Sequence, residues 1–219
     1  MAIRTKPVSK GDETRERIKL RARELFAEHG PDRVTIRDIA DAAGQKNGGS
    51  VNYYFRSKDD LILEILEEVL NDVDTYRGAL LDELEQSGAP ITVRAILKLL
   101  NPERPGTESA VPLLISLTLH RRDLMHTAVP GRWDKAYLRC IEHLRKLIPG
   151  YPEKILQQRL YFLIPYLWTF LKTREPSEHR AQFWRQFWAD PSAYETLLDT
   201  AEGILMRPVS EDTLAAFRD

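Results

Sequence analysis

A group of small polar, aromatic and basic side chains in the first quarter of the chain has the chemistry needed to contact DNA. The amide of Asn52 and the hydroxyls of Ser50 and Tyr53 can exchange hydrogen bonds with the edges of base pairs. Lys46 and Asn47 precede them in a glycine-containing stretch, where small residues allow close approach to phosphates and base edges. This segment predicts a nucleic-acid contact surface, and it needs helices that present it outward.

Two short helices joined by a glycine turn are predicted to position these side chains. Thr35 stands where it would cap the first helix, and Asp38 follows at the spacing of a capping box. The apolar face of that helix, at the spacing i, i+3, i+4 and i+7, consists of Ile36, Ile39, Ala40 and Ala43. Gly44 then occupies the position that needs a left-handed backbone, and the second helix is expected over residues 49–55.

Further helices are predicted on both sides of this pair. Upstream, an apolar stripe at helical spacing is formed by Ile18, Ala22, Leu25 and Phe26. Downstream, Ser57 and Asp60 again have capping-box spacing, which places Lys58 in the first turn of the next helix. Residues 12–56 therefore predict a three-helix unit of the helix-turn-helix type, whose last helix enters the major groove.

The same region resembles the N-terminal part of the tetracycline-repressor (TetR) family of bacterial transcription regulators. The matching residues are TRERI from Thr14, LFAEHG from Leu25, TIRDIA from Thr35, Ala43-Gly44, Tyr54-Phe55, Ser57-Lys58 and Leu61. The resemblance covers about the first third of the chain. It implies an all-α fold, with an N-terminal three-helix DNA-binding head and a C-terminal helical body that binds a small-molecule effector and forms a homodimer.

The resemblance also implies which residues touch a palindromic double-stranded operator. The residues expected at the DNA backbone are Thr14, Thr35, Arg37, Tyr54 and Lys58, and those expected at base edges or nearby phosphates are Lys46, Asn47, Ser50, Asn52 and Tyr53. The spacing of Tyr54 also suits a core position. The chain departs from the commonest family pattern by one extra residue after Gly44, and Gln45 stands where an apolar residue is typical. The register of base reading is therefore left open.

The distribution of charge agrees with two domains of different function. The whole chain of 219 residues has a net charge of −1. Residues 1–58 hold 13 Lys and Arg against 8 Asp and Glu, a net charge of +5, and residues 59–219 hold 19 against 25, a net charge of −6. A basic head suits contact with phosphates. We expect a DNA-binding domain over residues 1–58, with a flexible basic arm over residues 1–11, and an effector-binding and dimerisation domain over residues 59–219.

The second domain is predicted to be helical throughout. Short helices are expected from Val93 to Leu100 and from about Ser109 to His120. Residues 153–173 predict a helix that is apolar nearly all round, and such a helix must be covered on more than one side. The last main helix is expected to start at Asp190-Pro191. In the TetR-like layout, the last two long helices pair with their copies in a four-helix bundle, so the sequence predicts a homodimer.

A ligand site in the second domain is a hypothesis that depends on Pro165. A proline inside an apolar helix is expected to kink it, which would open a cavity lined by aromatic side chains. The candidate ligand-binding residues are His120, Trp133, Tyr137, Cys140, Tyr161, Tyr166, Trp168 and Phe170. Such walls suit an apolar or aromatic effector. Ordinary core packing is the alternative for each of these residues.

The sequence contains no recognisable catalytic motif. Phosphate-binding loops, nucleophile elbows and dinucleotide fingerprints are absent, and the five histidines lack metal-ligand spacing. We therefore expect no enzyme activity, no cofactor and no metal. One cysteine, no signal-peptide pattern and an apolar run over residues 160–171 that is too short for a bilayer predict a cytoplasmic protein that does not bind membranes.

Two interpretations of function follow. The first is a sequence-specific DNA-binding regulator, most simply a repressor that a small molecule releases from its operator, although an activator fits the same residues. The alternative is a small-molecule-binding or enzymatic helical protein whose helix-turn-helix does not read DNA. Salt-dependent affinity for DNA distinguishes the two, because phosphate contacts make binding weaken steeply with salt.

Overall fold

A computed structural model describes residues 9–100, 110–128, 134–148, 150, 152–174 and 182–216. All regular structure in these residues is helical, as the sequence predicts. The helices are α1 (Lys10–His29), α2 (Ile36–Ala42), α3 (Gly48–Tyr54), α4 (Lys58–Gln86), α5 (Val93–Leu100), α6 (Ala110–His120), α7 (Arg122–Ala128), α8 (Lys135–Leu147), α9 (Glu153–Lys172), α10 (Gln182–Ala189), α11 (Ser192–Met206) and α12 (Glu211–Ala215). None of the helices in this part of the chain has the length and apolarity needed to cross a lipid bilayer.

The chain forms two compact units whose limits differ from the predicted boundary between residues 58 and 59. The first unit comprises Met1–Asn71 and Thr107–Trp133, and the second comprises Asp72–Gly106 and Asp134–Asp219. The difference arises because α4, one helix of 29 residues that begins at Lys58, belongs to the first unit up to Asn71 and to the second unit from Asp72 onward. In addition, α6 packs on α1, which brings α6 and α7 into the first unit.

The first unit is built around the apolar stripe that the sequence predicts on α1. The side chains of Ile18, Ala22 and Phe26 are fully buried. Each neighbouring helix adds buried apolar residues to this unit: Ile39 and Ala40 from α2, Val51 from α3, Leu61, Ile62, Ile65 and Leu66 from α4, and Leu113 and Leu117 from α6. This core fixes α2 and α3 on α1 and thereby determines which face of α3 points outward.

Helix α1 begins earlier than predicted, within the segment expected to be a flexible arm. Ser9 is its N-cap: the Ser9 hydroxyl accepts a hydrogen bond from the backbone N–H of Asp12 at 3.1 Å, and the Ser9 N–H donates to the Asp12 carboxylate at 3.2 Å. Residues 9–11 therefore belong to the helix and its cap, because a capping box satisfies N–H groups at the helix start. The rest of the predicted arm, residues 1–8, lies outside the described residues.

The second unit has its core between α5, α8, α9 and α11. Helix α5 matches the predicted limits, and five of its eight side chains contribute to this core with at most 7% exposure, together with Cys140, Leu144, Leu163 and Leu198 from the other helices. Helix α9 continues through Pro165 as a single helix. Its apolar side chains include the buried Leu163 and Leu167 as well as the 69% exposed Phe162.

A buried ion pair on α4 joins three helices of the second unit. The Asp74 carboxylate accepts hydrogen bonds from the backbone N–H groups of Ala136 and Tyr137, both at 3.0 Å, in the first turn of α8. Arg77 donates to the same carboxylate at 3.0 Å and to the carbonyls of the last two residues of α5 at 3.0 and 3.4 Å. One pair on α4 thus caps the start of α8 and the end of α5.

Candidate nucleic-acid interface

The start of α2 has the capping box that the sequence predicts. The Thr35 hydroxyl accepts a hydrogen bond from the Asp38 N–H at 3.2 Å, and the Thr35 N–H donates to the Asp38 carboxylate at 2.8 Å. The Thr35 backbone N–H, together with the Thr35 hydroxyl, holds the pKa of Asp38 below its ordinary value. Because two backbone N–H groups are satisfied in this way, the direction in which α2 begins is fixed.

The turn after α2 is closed by hydrogen bonds that require a glycine. Gly44 has a φ of 65°, the left-handed conformation predicted for it. Its N–H donates to Asp41 at 3.1 Å and the Gln45 N–H donates to Ala40 at 2.8 Å, which together form a Schellman motif. The Gln45 side-chain amide folds back on the Ala43 carbonyl at 3.3 Å, so the polar residue at this position is accommodated within the turn.

Helix α3 starts one residue earlier than predicted and lies close against α2. A Cβ atom at Gly48 would lie only 3.3 Å from a side-chain methyl of Ile36, so glycine permits this approach. Val51 points inward and is fully buried, and Phe55 behind it is 4% exposed. With these two residues fixed in the core, the opposite face of α3 is presented outward.

The outward face of α3 carries the predicted contact residues. Tyr53 is 84% exposed, and its ring lies at right angles to the half-buried ring of Tyr54, with the ring centroids 5.1 Å apart. Asn52 is exposed beside it. An open cleft of about 370 Å³ is lined by Gln45, Asn47, Gly49, Ser50, Tyr53 and Tyr54. The structure therefore brings four of the ten predicted contact residues to one concave surface.

The other predicted contact residues lie at different depths. Arg37 and Lys46 are exposed, as is Thr35 at the cap of α2. Thr14 is half-buried, and its hydroxyl donates to the Lys10 carbonyl at 2.9 Å within α1. Each of these residues has at least part of its side chain at the surface of the first unit, and whether each of them touches DNA remains a prediction.

Lys58 has a structural partner that the sequence does not indicate. Its ammonium group donates to the carbonyl of Pro31 at 3.0 Å and to that of Val34 at 3.2 Å, and the side chain is half-buried. These carbonyls lie in the loop that leads into Thr35. The cation at the start of α4, which is unfavourable for the helix dipole, is therefore compensated by two backbone oxygens. A phosphate contact by Lys58 stays a prediction.

Some cations of the head pair with other groups of the same unit, and others do not. Arg15 pairs with Glu64, Lys19 pairs with Glu68, and the Arg17 guanidinium donates to the Ala43 carbonyl at 3.0 Å. The exposed cations for which no hydrogen bond or ion pair is found among the described residues are Lys10, Arg33, Lys46 and Arg56.

Arg56 was missed at the sequence level, although it follows the Tyr54-Phe55 pair directly.

The candidate ligand-binding residues differ in their burial and in the unit to which they belong. In the second unit, burial raises the pKa of the Cys140 thiol to about 11 and also raises the pKa of Tyr137. Tyr161 is 69% exposed, whereas Tyr166, Trp168 and Phe170 are half-buried, and the rings of Tyr166 and Phe170 are 5.0 Å apart.

Two further candidates lie elsewhere. His120 is exposed and belongs to the first unit. Trp133 lies outside the described residues. The ligand site stays a prediction.

Comparison with known proteins gives matches in the region of this interface. Residues 20–65 match the family of bacterial regulatory proteins, tetR family. The chain is 49% identical over 49 residues to the HTH-type transcriptional repressor KstR2 of Rhodococcus jostii, which is 22% of this chain and 24% of the relative. It is 37% identical over 67 residues to KstR2 of Mycolicibacterium smegmatis, which is 31% of this chain and 30% of the relative. The chain thus matches less than a third of the length of these curated relatives.

The helical arrangement as a whole is also found in solved structures. The fatty acid degradation regulator FadR of Bacillus halodurans superposes with a TM-score of 0.51 at 16% identity, over 92% of this chain and 97% of that protein. At this identity the likeness concerns the fold. The match to the tetR family of bacterial regulatory proteins itself concerns the head, over residues 20–65.

Proposed function

We propose that this protein is a sequence-specific DNA-binding transcriptional repressor. The observation that carries the proposal is the outward face of α3, where Asn52 and the 84% exposed Tyr53 stand on a helix whose other face is locked into the core. Polar side chains on such a helix suit hydrogen bonding to base edges in the major groove. The matched segment of KstR2, a transcriptional repressor, supports this choice.

The exposed cations suit the nonspecific part of binding. Arg37, Lys46 and Arg56 are exposed on or beside the helix pair. Arginine and lysine bind phosphate oxygens and set the orientation of the protein on the duplex. The function proposed here is binding without catalysis. A protein that acts on the bacterial chromosome works in the cytoplasm.

A homodimer is proposed as the active form. Tyr161 and Phe162 on α9 are each 69% exposed, and α11 presents small side chains at the helical spacing of Thr196, Thr200 and Gly203. Large aromatic residues on one helix and a small-residue face on the other suit close packing of two copies. A two-fold dimer would present two α3 helices to the half-sites of a palindromic operator.

An effector site is proposed in the second unit. Tyr166, Trp168 and Phe170 offer half-buried aromatic surface, and Phe170 also meets the ring of Trp184 at 6.3 Å. This surface suits an apolar or aromatic small molecule. A panel of such compounds is to be screened by thermal shift on the unmodified protein and on a Trp168→Ala variant, which removes part of the proposed aromatic surface. A shift that this variant loses supports the site, and no shift with any compound contradicts it.

DNA binding is tested by selecting duplexes from a random pool and measuring their affinity by fluorescence anisotropy at two salt concentrations. We expect selected duplexes to bind more tightly than scrambled ones, with strong salt dependence. Asn52→Ala should weaken base preference by about 1–3 kcal/mol. Arg56→Ala should weaken all duplexes alike and reduce the salt slope by about one.

Equal, salt-insensitive binding to selected and scrambled duplexes contradicts the proposal and favours a helical protein whose helix-turn-helix is structural.

For the dimer, light scattering at micromolar concentration should give twice the chain mass, and Phe162→Asp should give the monomer mass. Leu138→Asp on α8, a matched control at a residue that is half exposed, should leave the mass unchanged.

A further inference from the structure

The link between α6 and α7 is part of the first unit, although it lies far beyond the head in the sequence. Arg121 is the single residue between the two helices, and its N–H donates to the Leu117 carbonyl at 2.8 Å. Leu113 and Leu117 are fully buried in α6, which packs on α1. A Cβ atom at Gly30, the residue that ends α1, would lie 3.6 Å from the Ser116 hydroxyl. The backbone around Arg121 is therefore anchored to the head.

The Arg121 side chain reaches the first turn of α4. Its two terminal nitrogens donate to the two carboxylate oxygens of Asp59 at 2.9 and 2.8 Å. This is the bidentate geometry that gives an arginine–carboxylate pair both strength and a fixed direction. Arg121 is 17% exposed and also pairs with Asp123 at 3.0 Å. The hydrogen bonds from Arg121 hold the pKa of Asp59 below its ordinary value.

Asp59 lies at a junction of the elements that orient α3. Its neighbour Lys58 holds the carbonyls of Pro31 and Val34, in the loop before α2. The Ser57 hydroxyl caps α4 by accepting a hydrogen bond from the backbone N–H of Asp60 at 3.0 Å. The end of α3 lies only five residues before Asp59. A shift of this first turn would therefore move the loop before α2 and the end of α3 together.

We propose that Arg121 is a positioning residue of the DNA-reading head, acting through Asp59 on the first turn of α4 and so on the orientation of α3. The inference rests on the proposed function. Arg121 acts through another residue and does not touch DNA. One determinant of DNA affinity would then lie 67 residues beyond the end of α3, in the link between α6 and α7.

The test compares Arg121→Ala, Asp59→Ala and the double variant in the full-length protein. Affinity for a duplex selected by the unmodified protein is measured by fluorescence anisotropy across a salt series. Arg121→Ala should weaken binding about tenfold, as expected for a coupling contact, and leave the salt slope unchanged because no phosphate contact is lost. Asp59→Ala should do the same, and the double variant should be no weaker than either single variant.

Asp123→Ala is the matched control. It removes the other carboxylate on the same guanidinium and leaves the bond to α4 intact, so affinity should stay within about twofold of the unmodified protein. An unchanged affinity in Arg121→Ala overturns the inference. So does a salt slope that falls by about one, since that result makes Arg121 a phosphate contact.

Hydrogen exchange without DNA separates this inference from the proposed function. In Arg121→Ala, the backbone amides of α3 and of the first turn of α4 should exchange faster, while those of α5 and α8 stay unchanged. If the unmodified protein selects no duplex, the proposed function fails, and the exchange result alone decides the positioning role. Unchanged exchange in α3 overturns that role, and a Tm lowered equally by Arg121→Ala and Asp123→Ala does so as well.

Discussion

Two arginine–aspartate pairs involve helix α4, one buried in the second unit and one at the surface of the first. In the buried pair, the side chains of Asp74 and Arg77 are 11% and 9% exposed. In the surface pair, Arg121 is 17% exposed but its partner Asp59 is 48% exposed. The two pairs have the same chemistry, so the contrast between them shows what the surroundings contribute.

The buried pair satisfies backbone groups that helix geometry leaves without partners. The N–H groups at the start of α8 and the carbonyls at the end of α5 have no intrahelical partner. Asp74 and Arg77 supply those partners where water is excluded, with charges of the sign that each helix end prefers. The surface pair joins two side chains, and water can replace either of them as a hydrogen-bond partner. We infer that the buried pair mainly stabilises the fold, whereas the surface pair mainly fixes the position of the first turn of α4.

The largest effect is expected from Asp74→Ala. The substitution leaves the Arg77 charge buried without its carboxylate and removes the one acceptor of two α8 N–H groups, so the free energy of unfolding should fall by about 3–5 kcal/mol. Urea denaturation followed by circular dichroism, at fixed protein concentration, measures this change. Asp82→Ala is the control on the same helix, where a 52% exposed carboxylate pairs with Arg139. It should cost under about 1 kcal/mol, and an equal loss in both variants would contradict the contrast.

Replacing both members of the buried pair sharpens the comparison. In many proteins a buried ion pair can be exchanged for apolar residues at little cost. Here Asp74→Leu combined with Arg77→Met should still destabilise the protein by about 2–4 kcal/mol, because backbone groups of α5 and α8 lose their partners. The same denaturation experiment gives the answer. A double variant as stable as the unmodified protein would show that the pair has no capping role.

Several features of both units were predictable because their signals are local in the sequence. The capping box of Thr35 and Asp38 and the left-handed Gly44 depend on residues a few positions apart, and both are confirmed. The limits of α5 are confirmed for the same reason, since its apolar residues follow helical spacing up to the Asn-Pro dipeptide. Local patterns thus identified the fold class and the outward face of α3.

The features that sequence patterns did not reveal depend on contacts between distant residues. Asp74 meets the start of α8 across 62 positions, and Arg121 meets Asp59 across the same separation. Periodicity reports which face of a helix is apolar, but it does not identify the partner of a charge. The internal role of Lys58 was hidden for this reason, since the same lysine also fits a phosphate contact. The early start of α1 has a different cause: Ser9 caps the helix, but it lies in a polar segment whose composition predicts an arm.

The surface pair should show its small contribution as a dependence on pH. Arg121 lowers the pKa of Asp59, so the pair stabilises the fold at pH values above the ordinary aspartate pKa of 3.8 and loses this effect as the pH falls through the lower folded value. Asp59→Asn should therefore lower the free energy of unfolding by under about 1 kcal/mol at neutral pH. The difference from the unmodified protein should vanish once the pH has fallen below the folded pKa of Asp59. A difference that persists in acid would mean that Asp59 acts without its charge.

The smallest effect is expected at Asp134, the residue directly before α8. An aspartate at this position normally caps the helix, and its replacement by alanine costs about 1 kcal/mol. The Asp134 side chain makes no such hydrogen bond here, and Asp74 from α4 supplies it instead. Asp134→Ala should therefore change the free energy of unfolding by less than about 0.5 kcal/mol. A loss near 1 kcal/mol, measured by the same urea denaturation, would divide the capping of α8 between the two aspartates and weaken the contrast between the buried pair and the surface pair.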